Sequence, residues 1–388
     1  MKIKGFLKDI LGSSRAVKRR KEALANANGK EIPEDHITNI ARKLHPGKIS
    51  AKVVSIIKET SDSVRIRFVS PFIPLYKAGT YLTVELQIQE AVVTRAYSII
   101  TSPKEAYENK YVEIIVKDYQ DGFVSSYLNH NLKVDDEVIL EIGLGFFYID
   151  EFRDSHNIVG IAGGAGITPF IAIAHDIKEN NLPYHLLLLY GSNNPEQIIA
   201  KKELEELQCE NIQVVDVISG NHPSYQGEKG FIDRHILQKY ALDNPTYFVC
   251  GPKIMYDLVL KELEALKVDT RRVRHEAFSF KDATTFKDFP KELLDKEFDI
   301  EVHQGIDVRT IKAKAKESIL VALERNGYRL HSSCRSGGCG FCRIKIKQGT
   351  YFIPEGYDHR RHTDKEYNYV HSCSTFPTSD LVIKINIM

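Results

Sequence analysis

The sequence predicts a multidomain chain: an antiparallel β-barrel, an open parallel α/β sheet, and a smaller third domain. Three observations carry that reading. Between about 50 and 150 apolar and polar residues alternate with period two, as in VRIRF (64–68) and YLTVELQI (81–88), the mark of strands with one buried face. From 151 to 278 short continuous apolar runs (NIVGIA, HLLLLYG, NIQVVDVI, TYFVCG) alternate with helical patterns such as KKELEEL. Beyond a charged stretch, three of the six cysteines crowd between 334 and 342.

Taken in order, residues 1–46 form a basic extension, with nine Lys/Arg against two Asp/Glu in the first 30. Ile3, Phe6, Leu7, Ile10 and Leu11 trace the stripe of an amphipathic helix. It is expected to pack on its own protein, with a peripheral membrane contact or a partner as the alternative. Residues 47–150 are the barrel, its short runs separated by turn signals such as KAG (77–79) and QDG (120–122). Residues 151–278 are the α/β domain. Residues 279–297 read as a linker, which as a flexible coil would span roughly 25 Å. Residues 298–388 are the third domain.

At 388 residues, 43% hydrophobic and 27% charged, each domain can bury its own core. The net charge of +1 gives no bias toward nucleic acid. Lys8 and Asp9 interrupt any secretory signal. The longest uncharged stretch, Ile158 to Ala174, holds four glycines and Pro169, which suits a strand-to-helix turn rather than a membrane span. A cytoplasmic location is therefore expected, where cysteines serve as metal ligands or free thiols.

Cys339-x2-Cys342 alone fits half of a zinc ribbon, a redox pair or a loop staple. Cys334 extends it upstream to C-x4-C-x2-C, and Cys373 follows after 30 residues. That spacing fits the ligand set of a plant-type [2Fe–2S] cluster, whereas a zinc ribbon uses two C-x2-C knuckles. Glycines 337, 338 and 340 let the loop wrap tightly, so that backbone N–H groups can point at sulfur.

The segment ESILVALERNGYRLHSSCRSGGCGFC resembles a plant-type ferredoxin, and the likeness extends over 297–388. It implies an α+β β-grasp fold. Upstream, RAYSI (95–99) followed by Gly122-Phe-Val124-Ser125-Ser126 resembles the flavin site of the ferredoxin-NADP reductase family. The resemblance implies that Arg95 holds a flavin phosphate, Tyr97 lies against the ring system and Ser98 hydrogen-bonds near its reactive nitrogen. The Gly122 turn entering a helix supplies N–H groups for a pyrophosphate. IGLGFF (142–147) looks like the next glycine turn of that family, without its usual proline.

AGGAGITP (162–169) matches the nicotinamide loop of the same family. Gly163, Gly164 and Gly166 permit close backbone approach, and Thr168, before Pro169, is expected to cap the helix. YGS (190–192) stands where the adenosine ribose would lie. Cys250, Gly251 and Pro252 of CGPKIM are implied beside the nicotinamide, and Glu276 of HEAFSF near the flavin.

The domain order resembles that of the NAD(P)H-dependent reductases serving phenylacetyl-CoA epoxidase, steroid hydroxylase, hybrid-cluster protein and some desaturases. This implies an oxidoreductase passing electrons from NAD(P)H through FAD and a [2Fe–2S] cluster to an external acceptor protein. Tyr97, Ser98, Cys250 and Glu276 would be its catalytic set, and FMN is the alternative flavin. NADH is favoured over NADPH, because YGSNNPEQ has no arginine for a 2′-phosphate, although Lys201 and Lys202 stand close by. A cluster-based redox sensor and a flavin enzyme with its own small substrate are the competing classes.

Overall fold

The computed structural model describes residues 3–25, 40–41, 47–89, 91–119, 122–276, 283 and 286–385. Two units divide the chain at Pro46. In the first, Ile3–Ala25 is one helix, α1. The side chains of its apolar stripe lie outside the described residues. No helix among the described residues is long and apolar enough to cross a membrane.

The second unit opens with strands β1 (Lys48–Thr60), β2 (Ser63–Val69), β3 (Tyr81–Ile88), β4 (Ala91–Ser98), β5 (Tyr111–Lys117) and β6 (Glu137–Leu144). They form one antiparallel sheet in the order β4-β3-β6-β1-β2-β5, and the edge strands β4 and β5 come within 8 Å of each other. The alternation read from sequence turns one side chain in two inward, so Phe68, Leu82, Val84, Val93, Ile114 and Leu140 fill the interior.

Six parallel strands follow: β7 (Asn157–Gly163), β8 (His185–Ser192), β9 (Ile212–Ile218), β10 (Glu228–Lys229), β11 (Thr246–Cys250) and β12 (Val273–Glu276). Their order is β10-β9-β8-β7-β11-β12. The chain reverses direction across the sheet between β7's two neighbours, and ligands of such sheets bind at the carboxyl ends of strands at that switch point. Gly163 and Cys250 stand there, at the ends of β7 and β11.

The last sheet is mixed: β14-β13-β19-β15-β17, from β13 (Glu297–Gln304), β14 (Asp307–Lys314), β15 (Arg343–Gln348), β17 (Tyr369–His371) and β19 (Leu381–Ile385). A two-stranded ribbon, β16 (Tyr351–Phe352) and β18 (Phe376–Pro377), lies beside it. Helix Ile319–Arg325, capped by Ser318, buries Ile319, Ala322 and Leu323 against one face. This is the β-grasp arrangement expected from the ferredoxin-like sequence.

One expectation fails. The stretch read as a flexible linker is anchored: Phe286 and Phe289 are buried against Phe352, Phe376 and Tyr357. Its aromatics outweigh its charge, because each ring offers more apolar area than a Lys or Glu costs at the rim.

Barrel and parallel sheet are joined by an ion cluster centred on Arg65 of β2. Its Nε reaches Glu59 at 3.0 Å and its Nη1 reaches Glu113 at 3.3 Å. Its Nη2 bonds Glu203, on helix Lys201–Leu207 of the α/β domain. Glu203 also accepts His175 Nε2 at 2.7 Å, and the Ala200 N–H donates to Glu59 at 2.9 Å. One guanidinium thus holds three carboxylates from two domains. Arg65→Met should cost about 1–3 kcal/mol, because it leaves the buried Glu113 and the half-buried Glu59 and Glu203 with one cation fewer. Thermal denaturation checks this; a variant melting with the wild type would show that the cluster does not bind the domains together.

Candidate functional site

Four thiols meet at the cysteine loop, and they meet in pairs. Cys334 hydrogen-bonds Cys339, and Cys342 hydrogen-bonds Cys373. Among the described residues no three donors converge on a single ion. The two irons of a binuclear cluster would take two thiolates each, which is the pairing these sulfurs show. The donor set fits the binuclear cluster. Backbone N–H groups aim inward as the glycines allow: Gly337 donates to Cys373 Sγ at 3.3 Å, and Cys339 to Cys334 Sγ at 3.3 Å. Gly337 has φ +79°, and a Cβ there would strike Ser374 Oγ and Tyr357 O at 2.9 Å. No other residue fits that turn.

The nicotinamide-loop glycines serve the chain's own packing first. A Cβ at Gly166 would lie 2.1 Å from the Cys250 carbonyl, and one at Gly163 would lie 2.9 Å from Pro252 and 2.6 Å from Met255 sulfur. The Gly163–Gly166 loop and the Cys250–Pro252 corner therefore interlock. Gly164, at φ +52°, faces open space. Thr168 departs from expectation. It is the first residue of helix Thr168–Glu179 rather than its cap, and its hydroxyl donates back to Ala165 O at 2.8 Å. A 3-10 turn, Gly164–Ile167, runs straight into the helix and leaves no extended cap position. Pro169 is buried within the first turn.

Cys250 lies between Ala162 of β7 and Glu276 of β12, and burial pushes its thiol well up. The buried Arg274–Asp154 ion pair, 3.0 Å from Nε to Oδ1, fixes β12 two residues before Glu276. The Glu276 Oε2 is sealed from solvent and has no hydrogen-bond partner among the described residues. Its carboxyl is pushed up to about 8, first by burial and second by Cys334 beside it. The carboxyl reaches the Gly145 turn, where a Cβ would meet Glu276 Oε1 at 3.0 Å and the Tyr81 ring at 2.7 Å.

Tyr81 joins all three domains. It pairs across β3/β4 with Ser98, and its hydroxyl bonds Ser333 Oγ, next to Cys334, at 2.8 Å. Tyr97 is packed on the barrel core. Gly122 begins helix Phe123–His130; Ser125 and Ser126 lie in its first turn, and Val124 turns its side chain into the core, leaving only its backbone to the site. Tyr119 and Tyr97 are electrostatic neighbours, so that turn approaches β4. Beside it an open cleft of about 490 Å³ is lined by Ile88, Gln89, Gly122, Phe123, Ser126, Tyr127 and Asn131.

Arg95 holds a surprise. Its Nη1 pairs with Glu324 Oε2 at 2.9 Å, and Glu324 belongs to the third domain. Arg335, inside the cysteine loop, grips the same carboxylate at 2.6 and 3.0 Å and also donates to Thr94 O at 3.1 Å. Glu324 is 2% exposed and Arg335 is 6%. Two guanidiniums on one carboxylate leave a net positive charge, so Arg95 can still face a phosphate. Sequence reasoning missed Tyr81, Ser333, Glu324 and Arg335. Arg335 stands in the cysteine motif, but no local pattern shows a partner 241 residues away.

Two consequences are measurable. Removing the shared carboxylate strands two buried cations, so Glu324→Gln should lower stability by about 3–5 kcal/mol. A double-mutant cycle with Arg95→Met should return a coupling of about 1 kcal/mol or more, and simple additivity would refute the contact. For Glu276, a raised carboxyl binds a proton on folding, so its stabilisation is complete below about 4.5 and lost as pH rises through about 8. The Tm of Glu276→Gln should gain on the wild type steadily from pH 5 to 8. A constant gap would mean that the carboxyl titrates normally.

Comparison with known proteins agrees with this geometry. Three family models match: the oxidoreductase FAD-binding domain over 50–148, the oxidoreductase NAD-binding domain over 161–261, and the 2Fe-2S iron-sulfur cluster binding domain over 303–378. The chain is 24% identical over 356 residues to the glycine betaine monooxygenase reductase subunit of Chromohalobacter salexigens, covering 87% of this chain and 95% of that one. It is 27% identical to NADH oxidoreductase HCR of Escherichia coli, covering 86% and 96%. The solved structure of phthalate dioxygenase reductase shares the fold at a TM-score of 0.65 and 21% identity, covering 88% of this chain and 98% of that one. An oxidoreductase FAD-binding domain, an oxidoreductase NAD-binding domain and a 2Fe-2S cluster binding domain thus follow one another along the chain, the make-up of an oxidoreductase of the ferredoxin reductase type.

Proposed function

We propose that this chain draws electrons from NADH and delivers them singly to a separate acceptor protein, through FAD and a [2Fe–2S] cluster held in one rigid site. The carrying observation is the Tyr81–Ser333 hydrogen bond of 2.8 Å, which sets the cluster loop against the strand pair that bears Ser98. When bound, a flavin takes an electron pair as hydride and gives electrons up singly, and a plant-type cluster carries one at a time.

The residues divide the remaining work. Arg95, with the glycine turn at Gly122 and the first-turn residues Ser125 and Ser126, holds the flavin phosphates, while Tyr97 and Ser98 orient the ring system. Gly163, Gly164 and Gly166 admit the nicotinamide against the Cys250–Pro252 corner. Cys250, 3% exposed, excludes water there. Glu276, neutral near pH 7, can share a proton without placing a charge beside the ring.

The open cleft beyond Gly122 supports FAD over FMN, since it gives an adenosine half somewhere to lie. NADH is favoured because the turn after β8 is closed by its own polar groups, Ser192 Oγ to Asn194 O at 3.0 Å, with no guanidinium in it. The reductase subunits among the relatives support an oxygenase-type acceptor. Four cysteines committed to a cluster suit a reducing compartment, which supports a cytoplasmic setting.

Cys339→Ala tests the order of transfer. It removes one of four cluster thiolates, so the [2Fe–2S] signal in electron paramagnetic resonance should vanish. NADH should still bleach the flavin and reduce ferricyanide, while cytochrome c reduction collapses. Full cytochrome c activity in that variant would break the linear path. A wild type that fails to turn over NADH with any dye would instead favour a redox sensor.

A further inference from the structure

The outer side of the cysteine loop is built for contact. Cys339 is exposed, and a Cβ at Gly338 would meet nothing within 4 Å. Phe341, between two cluster ligands, is 64% exposed, an uncovered aromatic at the point where an electron would leave. Two residues on, Arg343 starts β15. This strand buries Ile344 and Ile346 and turns Arg343, Lys345 and Lys347 outward. Lys345 stands directly opposite Lys384 of β19. Like charges facing each other across a sheet are destabilising, so the fold gains nothing from this pair.

Among the described residues the acids of that face have nearer partners than the pair: Asp299 is engaged by Lys312 at 2.6 Å and Glu301 by His303 at 2.6 Å, while Lys347 Nζ lies 3.4 Å from His303 Nδ1. Arg343 reaches Asp364 at 2.9 Å and lies over the Tyr369 ring, 4.8 Å from its centre, as Lys345 does at 5.6 Å. Residues 329–366 hold eight Lys/Arg against four Asp/Glu, in a chain whose total is only +1. The positive charge is local to the loop's flank.

We propose that Phe341 and the outward face of β15 and β19 form the docking surface for the acceptor, and that the acceptor meets it with an acidic face around its own redox centre. This rests on the electron-transfer reading above and adds the sign of the partner's charge. Lys345, Lys384 and Lys347 steer the encounter, and Phe341 anchors it over Cys339.

The test uses the full-length, cofactor-loaded protein and two one-electron probes of opposite charge: the acidic soluble domain of cytochrome b5, and basic cytochrome c. Reduction of cytochrome b5 should slow as salt is added, while that of cytochrome c should not. The K345E/K384E variant should reduce cytochrome b5 roughly tenfold more slowly at low salt. Its ferricyanide turnover and cluster signal should be unchanged. Phe341→Ala should raise the KM for cytochrome b5 with kcat nearly constant. Cytochrome b5 rates indifferent to salt and to the variant, with dye turnover intact, would overturn the docking surface and leave the electron-transfer reading standing. Loss of dye turnover in the wild type would remove that reading itself. Binding to phosphatidylserine vesicles that the variant loses, with cytochrome b5 rates unchanged, would assign the face to a lipid surface and also overturn the proposal.

Discussion

One buried carboxylate fixes the relation between the two redox halves. Glu324 sits between the half-buried Arg95 of β4 and the buried Arg335 of the cysteine loop. Burying three charges is costly, and the cost is met only if each group keeps its partners. The arrangement tolerates little drift: sliding the ferredoxin-like domain along the barrel would strand a cation in a region of low dielectric. Tyr81 and Ser333 add a neutral bond to the same seam. A charged knot of this kind contributes more to a unique geometry than to net stability.

The second seam works differently. Arg65 spreads one guanidinium over Glu59, Glu113 and Glu203, with Arg67 also on Glu113 and His175 also on Glu203. That cluster ties helix Lys201–Leu207 to the barrel, and the Gly163–Gly166 loop is held by glycines that let two strand ends interlock. The absence of side chains at Gly163 and Gly166 is first a requirement of the apoprotein, and access for a ligand follows from it.

Much of this was legible in the sequence wherever the signal is local. Period-two alternation marked the barrel strands because one face of each is buried. Continuous apolar runs marked the parallel sheet because both faces are. Cysteine spacing foretold that four thiols would gather, since a loop of four residues between thiols has few ways to close. Thr168 misled because its rank before a proline suits a cap, while a preceding 3-10 turn had already taken that position. The segment 279–297 looked like a tether by charge, and Phe286 and Phe289 made it a foot. Glu324 was invisible for a plainer reason. On helix Ile319–Arg325 it reads as an ordinary polar residue, and its partners lie on another domain and in a distant loop.

That anchored segment has a consequence for timing. A ferredoxin-like module on a loose tether can pick up charge at one station and swing to another, so that its own diffusion sets the pace. Here Phe286 and Phe289 pin the chain entering the module, and the module is pinned again at Glu324. It is a fixed quay rather than a ferry. Every nicotinamide supplies two electrons and the quay unloads one at a time, so each turnover asks for two separate calls by an acceptor.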